Sequence, residues 1–202
     1  MSLTELQCTE GIIIRAAAFS NYDQILTLFT PDQGILKLMY KGSKNKWQKY
    51  HPLMQVECVY KEKRSEIFAC EEISAIQLYL PLRLQYAYLQ VACDMLKAIE
   101  MSQMMGKSAP VLYQLLLFYL NKIHLVADPW VLATSFKAKV LRYEGLFQME
   151  ALEQDIRYFK QEEQELLEAL CYCQSYQPLA QILLPTDFKA KVDTLFKVLL
   201  QR

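Results

Sequence analysis

Lys37, Lys41, Lys44, Lys46 and Lys49 fall within one short run that contains no acid, and Trp47 and Tyr50 lie in the same run. Ammonium groups track phosphates, and an aromatic ring offers a face on which a base stacks. Together they are the usual equipment for single-stranded nucleic acid. Gly42, Ser43 and Asn45 make the run a loop. Trp47 is the stacking candidate, worth about 1–3 kcal/mol per base if it stacks. Two plainer readings stay open: the run is a solvated hairpin tip, and Trp47 is a hydrophobic plug beneath it.

Other chemistry is missing. The chain has no G-x-x-x-x-G-K-[ST] and no G-x-G-x-x-G, and five glycines leave little room for either. His51 precedes a proline at a strand start and His124 sits on an apolar helix, neither with a cysteine or carboxylate in register. Cys8, Cys58, Cys70, Cys93, Cys171 and Cys173 form no C-x-x-C pair, so they read as buried reduced thiols rather than zinc ligands. Glu71-Glu72 and Glu162-Glu163 read as solvated faces. No catalytic residue, metal or cofactor is expected.

The elements that carry the lysine run are β. Alternating or β-branched segments at 11–15, 25–30, 35–40, 52–60 and 66–73 predict five short strands. Pro31 and Gly34 supply a turn between the second and third, making a hairpin. Five strands with no helical period between them suggest a small closed barrel, with an SH3-like barrel as the rival. From about residue 81 the period becomes helical, through Leu82, Tyr86, Leu89, Cys93, Leu96 and Ile99. Further helices are expected from Pro110, from Asp128-Pro129 through 146, over 150–173, and from Thr186-Asp187 through 200, where those residues serve as caps. The chain is thus expected to be α+β, with a barrel domain at 1–78 and an all-helical domain at 79–202.

Lys plus Arg equals Asp plus Glu, 22 of each in 202 residues, so any polyanion affinity must come from clustering. No run is long and apolar enough to span a membrane, and residues 1–11 lack the marks of a signal peptide. A cytoplasmic location is expected.

Read in order, the β half resembles the N-terminal domain of the bacterial recombination mediator RecO. The resemblance is carried by Glu10-Gly11-Ile12-Ile13-Ile14-Arg15, by the stretch from Tyr22 through Ile25-Leu26-Thr27-Leu28-Phe29-Thr30-Pro31 to Gly34, by Lys41-Gly42-Ser43-Lys44, and by His51-Pro52-Leu53 with its following strand. These are similar to the family's EGIVL-R, ILTLFTPEHG, KGAR and Q-P-F segments. In the helical half, 136–145 resembles the family's FELRLLRLLGY. The resemblance implies an OB-fold followed by a helical domain, with no bond-making activity. It also implies binding and annealing of single-stranded DNA, with RecR and the tail of single-strand-binding protein as partners and RecA loaded indirectly.

Carried onto this chain, the resemblance places Arg15 on the first strand and Lys41 and Lys44 at the end of the third. With Lys37, Lys46 and Lys49 these would contact phosphates, each adding to the salt dependence of binding. Arg15 reads equally as a solvent-facing strand residue. Lys137, Lys139 and Arg142 do not share a helix face, and Lys189, Lys191 and Lys197 read as a solvated last helix. Many family members carry a four-cysteine zinc module after the position of Glu144-Gly145-Leu146, whereas 147–173 here reads as uninterrupted helix. Two functions follow: a DNA-binding mediator, or an adaptor that kept the barrel but recognises RecR or single-strand-binding protein without DNA affinity.

Overall fold

Alternation of inward apolar and outward polar side chains drives the first part of the chain into strands. The computed structural model describes residues 6–44, 49–62, 64–147 and 156–201. Among them are strands β1 (Leu6–Ala18), β2 (Gln24–Thr30), β3 (Gly34–Tyr40), β4 (Gln55–Lys61) and β5 (Ile67–Gln77). They run in the order β1-β2-β3-β5-β4, and β4 pairs back onto β1 to close a barrel. Neighbours are antiparallel except β3 and β5, which pair in parallel through Lys37↔Ile67, Leu38↔Phe68 and Met39↔Ala69. This five-stranded closure is an OB-fold, and it decides against the SH3-like alternative.

β1 is longer than the pattern predicts because it serves two neighbours. Its first half pairs with β4 and its second with β2, and a bulge between Ile13 and Arg15 turns the strand between them. At that bulge Ile13 donates its N–H to Met54 O at 2.9 Å, and Leu53 donates to Ile13 O at 3.0 Å. Residues 52–54 therefore cross β1 instead of opening β4, which starts three residues later than expected. Ile13, Leu26, Leu28, Leu36, Leu38, Val56, Cys58 and Tyr60 fill the interior.

The hairpin turn needs its glycine twice over. Gly34 has a φ of 60°, and a Cβ there would lie 2.4 Å from Lys107 O and 2.6 Å from Met104 O. That closeness arises because 103–109 lies along the turn: Ile35 donates to Met104 O, Gly106 to Gln33 O and Ala109 to Pro31 O. The chain divides into two compact units, one reaching Tyr79 and including Gln103–Gln114, the other made of Leu80–Ser102 and the residues from Leu115 onward.

Among the described residues the helices are α1 (Leu80–Leu84), α2 (Tyr86–Ser102), α3 (Pro110–Leu120), α4 (Trp130–Tyr143), α5 (Gln161–Tyr172) and α6 (Phe188–Leu200). The expected helix over 150–173 is corrected at its start. Residues 156–160 form a turn in which Phe159 donates to Ile156 O, and the Lys160 N–H is taken by the Glu163 carboxylate at 2.7 Å. That bond satisfies an otherwise orphaned first-turn donor, and Glu162 and Glu163 there favour the positive end of the helix dipole. The expected helical residues at 150–155 lie outside the described residues. Asp128 does cap α4, accepting the Trp130 N–H at 3.0 Å. Asp187 makes no side-chain cap on α6; it stands at a φ of 65°.

One charged pin ties three helices of this unit. Lys137 of α4, only 5% exposed, reaches Asp94 of α2 and Asp193 of α6, both at 2.5 Å. Asp193 also takes Lys189 at 2.6 Å, and Lys191 clasps Glu163 at 2.6 Å. The last helix is therefore not simply solvated: two of its three lysines are engaged inside the unit. No helix is long and apolar enough to cross a membrane among the described residues.

Two outcomes test this packing. Gly34→Ala is expected to lower unfolding stability by about 2–3 kcal/mol in denaturant titration, combining positive-φ strain with the carbonyl clash. The second concerns acid. Burial opposes ionisation of Asp193, but hydrogen bonds from Lys137 and Lys189 outweigh it and hold its carboxyl below the ordinary value. Lys191, then the Lys160 N–H, lower Glu163 likewise. Depressed folded-state values stabilise above the unfolded carboxyl pKa of about 4, and the gain is lost as pH falls through the lower folded values. The melting temperature should drop across that window, and Asp193→Asn with Glu163→Gln should flatten the drop.

Candidate nucleic-acid interface

Strand register brings together residues that lie far apart in the chain. Arg15 of β1 pairs with Thr27 of β2, and Thr27 pairs with Lys37 of β3. Partners in register share a face, and this face points outward, because Leu26, Leu28, Leu36 and Leu38 point in. Two residues along each strand lies a parallel row, Ala17, Ile25 and Met39, all half-buried. The wall of β1, β2 and β3 thus carries a polar, cation-ended row beside an apolar one. With strands about 4.8 Å apart, the two cationic residues stand about 10 Å apart across the sheet.

Lys37 and Arg15 are therefore brought together, although the lysine run alone would group Lys37 with the loop. Lys37 is not idle: its Nζ lies 3.3 Å from Glu66 Oε2, and Glu66 is the residue just before β5. Lys41 and Lys44 follow β3, and Lys49 precedes β4; all three are exposed and no acid among the described residues pairs with them. Lys46 and Trp47 lie outside the described residues.

Tyr50 is corrected from a loop aromatic to a core one. It is buried, its ring meets Tyr40 edge-on at 5.0 Å, and its hydroxyl donates to Ile73 O at 3.1 Å. The buried Gln24 side chain clamps its backbone from both sides, accepting the Tyr50 N–H at 2.9 Å and donating to Tyr50 O at 3.1 Å. The lysine loop thus returns to the barrel through a fixed point. Burial pushes the Tyr50 phenol up to about 12, with Tyr40 and Cys70 adding to the shift.

Two aromatics were missed by sequence reasoning. Phe19, 64% exposed, and Tyr22 project from the β1–β2 loop, at the end of the same wall. In OB-folds that loop and the β4–β5 loop flank the binding face. The signal available was a pair of aromatics in a short turn before Asp23, without a charge run to draw attention. Acids take the other half of the wall. Glu10 pairs with Glu57 across β1 and β4, and Glu72 faces Val59 across β4 and β5, all directed away from the core. A neutral chain thereby presents a cationic side.

In the helical unit several cations are spent on packing. Lys139 donates to Cys173 O, Arg142 covers the Tyr172 ring at 4.5 Å, and Lys189 sits 4.4 Å from the Trp130 ring. Lys97 and Lys197 line a cavity of about 180 Å³ with Met101 and Phe196, beside the Lys137 pin. Burial raises the Cys58 and Cys70 thiols to about 12 and Cys171 to about 11, which keeps them protonated and unreactive at neutral pH. Among the described residues no three His, Cys, Asp or Glu gather as a metal site.

Comparison with known proteins points the same way as the barrel. Residues 1–79 match the family model described as Recombination protein O N terminal. The chain is similar to the DNA repair protein RecO of Chlamydia pneumoniae, 23% identical over 146 residues, covering 70% of this chain and 58% of that protein. It is also similar to the DNA repair protein RecO of Chlamydia muridarum, 25% identical over 145 residues, covering 58% of this chain and 62% of that protein. The chain thus spans about three fifths of the length of these relatives.

The Gln24 clamp makes a local prediction. Gln24→Ala leaves two buried backbone groups of Tyr50 without partners and should cost about 1–3 kcal/mol in unfolding stability. Tyr50→Phe removes only the bond to Ile73 O and should cost about 1 kcal/mol. A loss in Gln24→Ala well below about 1 kcal/mol would mean that the clamp does not hold the loop.

Proposed function

We propose that the chain belongs to the RecO family by its N-terminal domain and serves DNA repair and recombination as a mediator that binds and anneals single-stranded DNA. The supporting observation is the outward row Arg15–Thr27–Lys37, continued by exposed Lys41, Lys44 and Lys49. A strand laid on this wall meets cations for its phosphates, an apolar row for its bases, and Phe19 at the rim for stacking. Lys46 and Trp47 belong to the same lysine run in the sequence. The chemistry is binding alone, with no bond made or broken. Residues 1–78 form the barrel domain in this reading and 79–202 the helical one.

Partners follow from the same reading. RecR joins the protein in loading RecA, and the acidic, apolar tail of single-strand-binding protein suits the cavity beside Lys137. There Lys97 and Lys197 supply charge and Met101 supplies apolar surface, while the carboxylates of Asp94 and Asp193, which also line the cavity, are held by Lys137. A second function, an adaptor that binds RecR or single-strand-binding protein without DNA, draws support from the Lys37–Glu66 pair, which occupies part of the cationic row.

Fluorescence anisotropy of a labelled single-stranded oligonucleotide at two salt concentrations separates the two. The mediator reading expects binding that falls with salt, by about 0.7 in the logarithmic slope for each phosphate contacted. Lys44→Glu should weaken it, and Phe19→Ala should cost about 1–3 kcal/mol. Binding to RecR or to the tail with no DNA affinity at moderate salt would establish the adaptor instead.

A further inference from the structure

Glu66 stands where a ligand anion would stand. Its carboxylate oxygen lies 3.3 Å from Lys37 Nζ, and both side chains remain open to solvent, 37% exposed for Lys37 and 77% for Glu66. The position is fixed by the fold. Parallel pairing sets Ile67 opposite Lys37, so the residue before Ile67 ends the β4–β5 loop beside the Lys37 ammonium. Ser65 holds that turn through a hydrogen bond from its hydroxyl to Ile67 O at 2.8 Å. On the other side, Thr27 and then Arg15 continue the row.

We propose that Glu66 is an internal competitor for strand phosphate at Lys37, covering one end of the Arg15–Thr27–Lys37 track until a nucleic-acid strand displaces it. The proposal rests on the DNA-binding reading above and adds a residue that sets its affinity and salt response. A carboxylate and a phosphate oxygen offer the same acceptor to an ammonium. The exposed pair is weak, so displacement is easy. A strand entering the track exchanges one anion for another at Lys37 and sends Glu66 back to water.

This exchange leaves a signature. Salt weakens the Lys37–Glu66 pair as well as the Lys37–phosphate contact, so the two effects oppose each other at this one position. In the wild type the Lys37 contact therefore adds little to the salt slope. Removing the carboxylate restores its share, about 0.7 for a single strand.

The test is anisotropy of a fluorescent oligothymidylate with the full chain across a salt series, using Glu66→Gln, Lys37→Met, the double variant, and Glu57→Gln on the acidic side of the barrel. Glu66→Gln should tighten binding about two- to fivefold at low salt, the span of an exposed ion pair, and steepen the slope. The gain should vanish in the Lys37→Met background. Glu57→Gln should give a smaller change that persists in that background. An equal gain with and without Lys37, or no gain at all while the wild type binds, would overturn the role of Glu66 and leave DNA binding standing. Absence of salt-sensitive binding in both wild type and Glu66→Gln would overturn both. A gain far beyond fivefold exceeds what an exposed ion pair can withhold and would overturn simple competition at Lys37.

Discussion

The parallel pairing of β3 with β5 is the contact on which the barrel depends. Among the described residues three register pairs, Lys37↔Ile67, Leu38↔Phe68 and Met39↔Ala69, join β3 to β5. Without them β3 and β5 would each present an unpaired edge, and Leu36, Leu38 and Phe68 would lose their shared interior. Parallel neighbours cannot be joined by a tight hairpin. The chain therefore leaves β3 through the lysine loop, fixes itself at Tyr50, and makes β4 before it returns. The same closure delivers Glu66 to Lys37. Fold stability and site chemistry thus hang on one short ladder.

Cations meet different fates in the two units, and their neighbours decide which. On the barrel, Lys41, Lys44 and Lys49 stay exposed and unpaired with acids among the described residues. In the helical unit Lys137, Lys189 and Lys191 reach carboxylates at 2.5–2.6 Å. A buried ammonium between two carboxylates is a specific fastener, because removing either kind of partner strands a desolvated charge. Residue type alone says nothing about which fate applies.

That difference explains what was legible in the sequence. The hairpin of β2 and β3 was readable because apolar alternation and the Pro31–Gly34 turn are both local signals. The Lys137 pin was not, since its carboxylates lie 43 and 56 residues away. Tyr50 was misread because it adjoins the lysines in sequence, whereas its burial is set by Gln24, 26 residues earlier. The register that aligns Arg15 with Lys37 depends on the bulge in β1, which no local pattern announces. The choice of OB over SH3-like closure came from ordered motifs across residues 10–60, while strand count left it open. Residues 156–160 carry helix-compatible side chains, but the chain turns there and buries Phe159 against Phe188, with ring centroids 5.9 Å apart.

The division of charge around the barrel has a consequence for encounter. Glu10, Glu57 and Glu72 face out from β1, β4 and β5; Arg15 and Lys37 face out from β1 and β3. With equal totals of acid and base, a distant polyanion exerts almost no net pull on such a chain. It exerts a torque. Screening confines even that to about 8 Å at physiological salt, so the molecule approaches unguided and is turned only at the last moment. Such a protein sorts orientations, not distances: it meets the strand by chance and presents the right side by electrostatics.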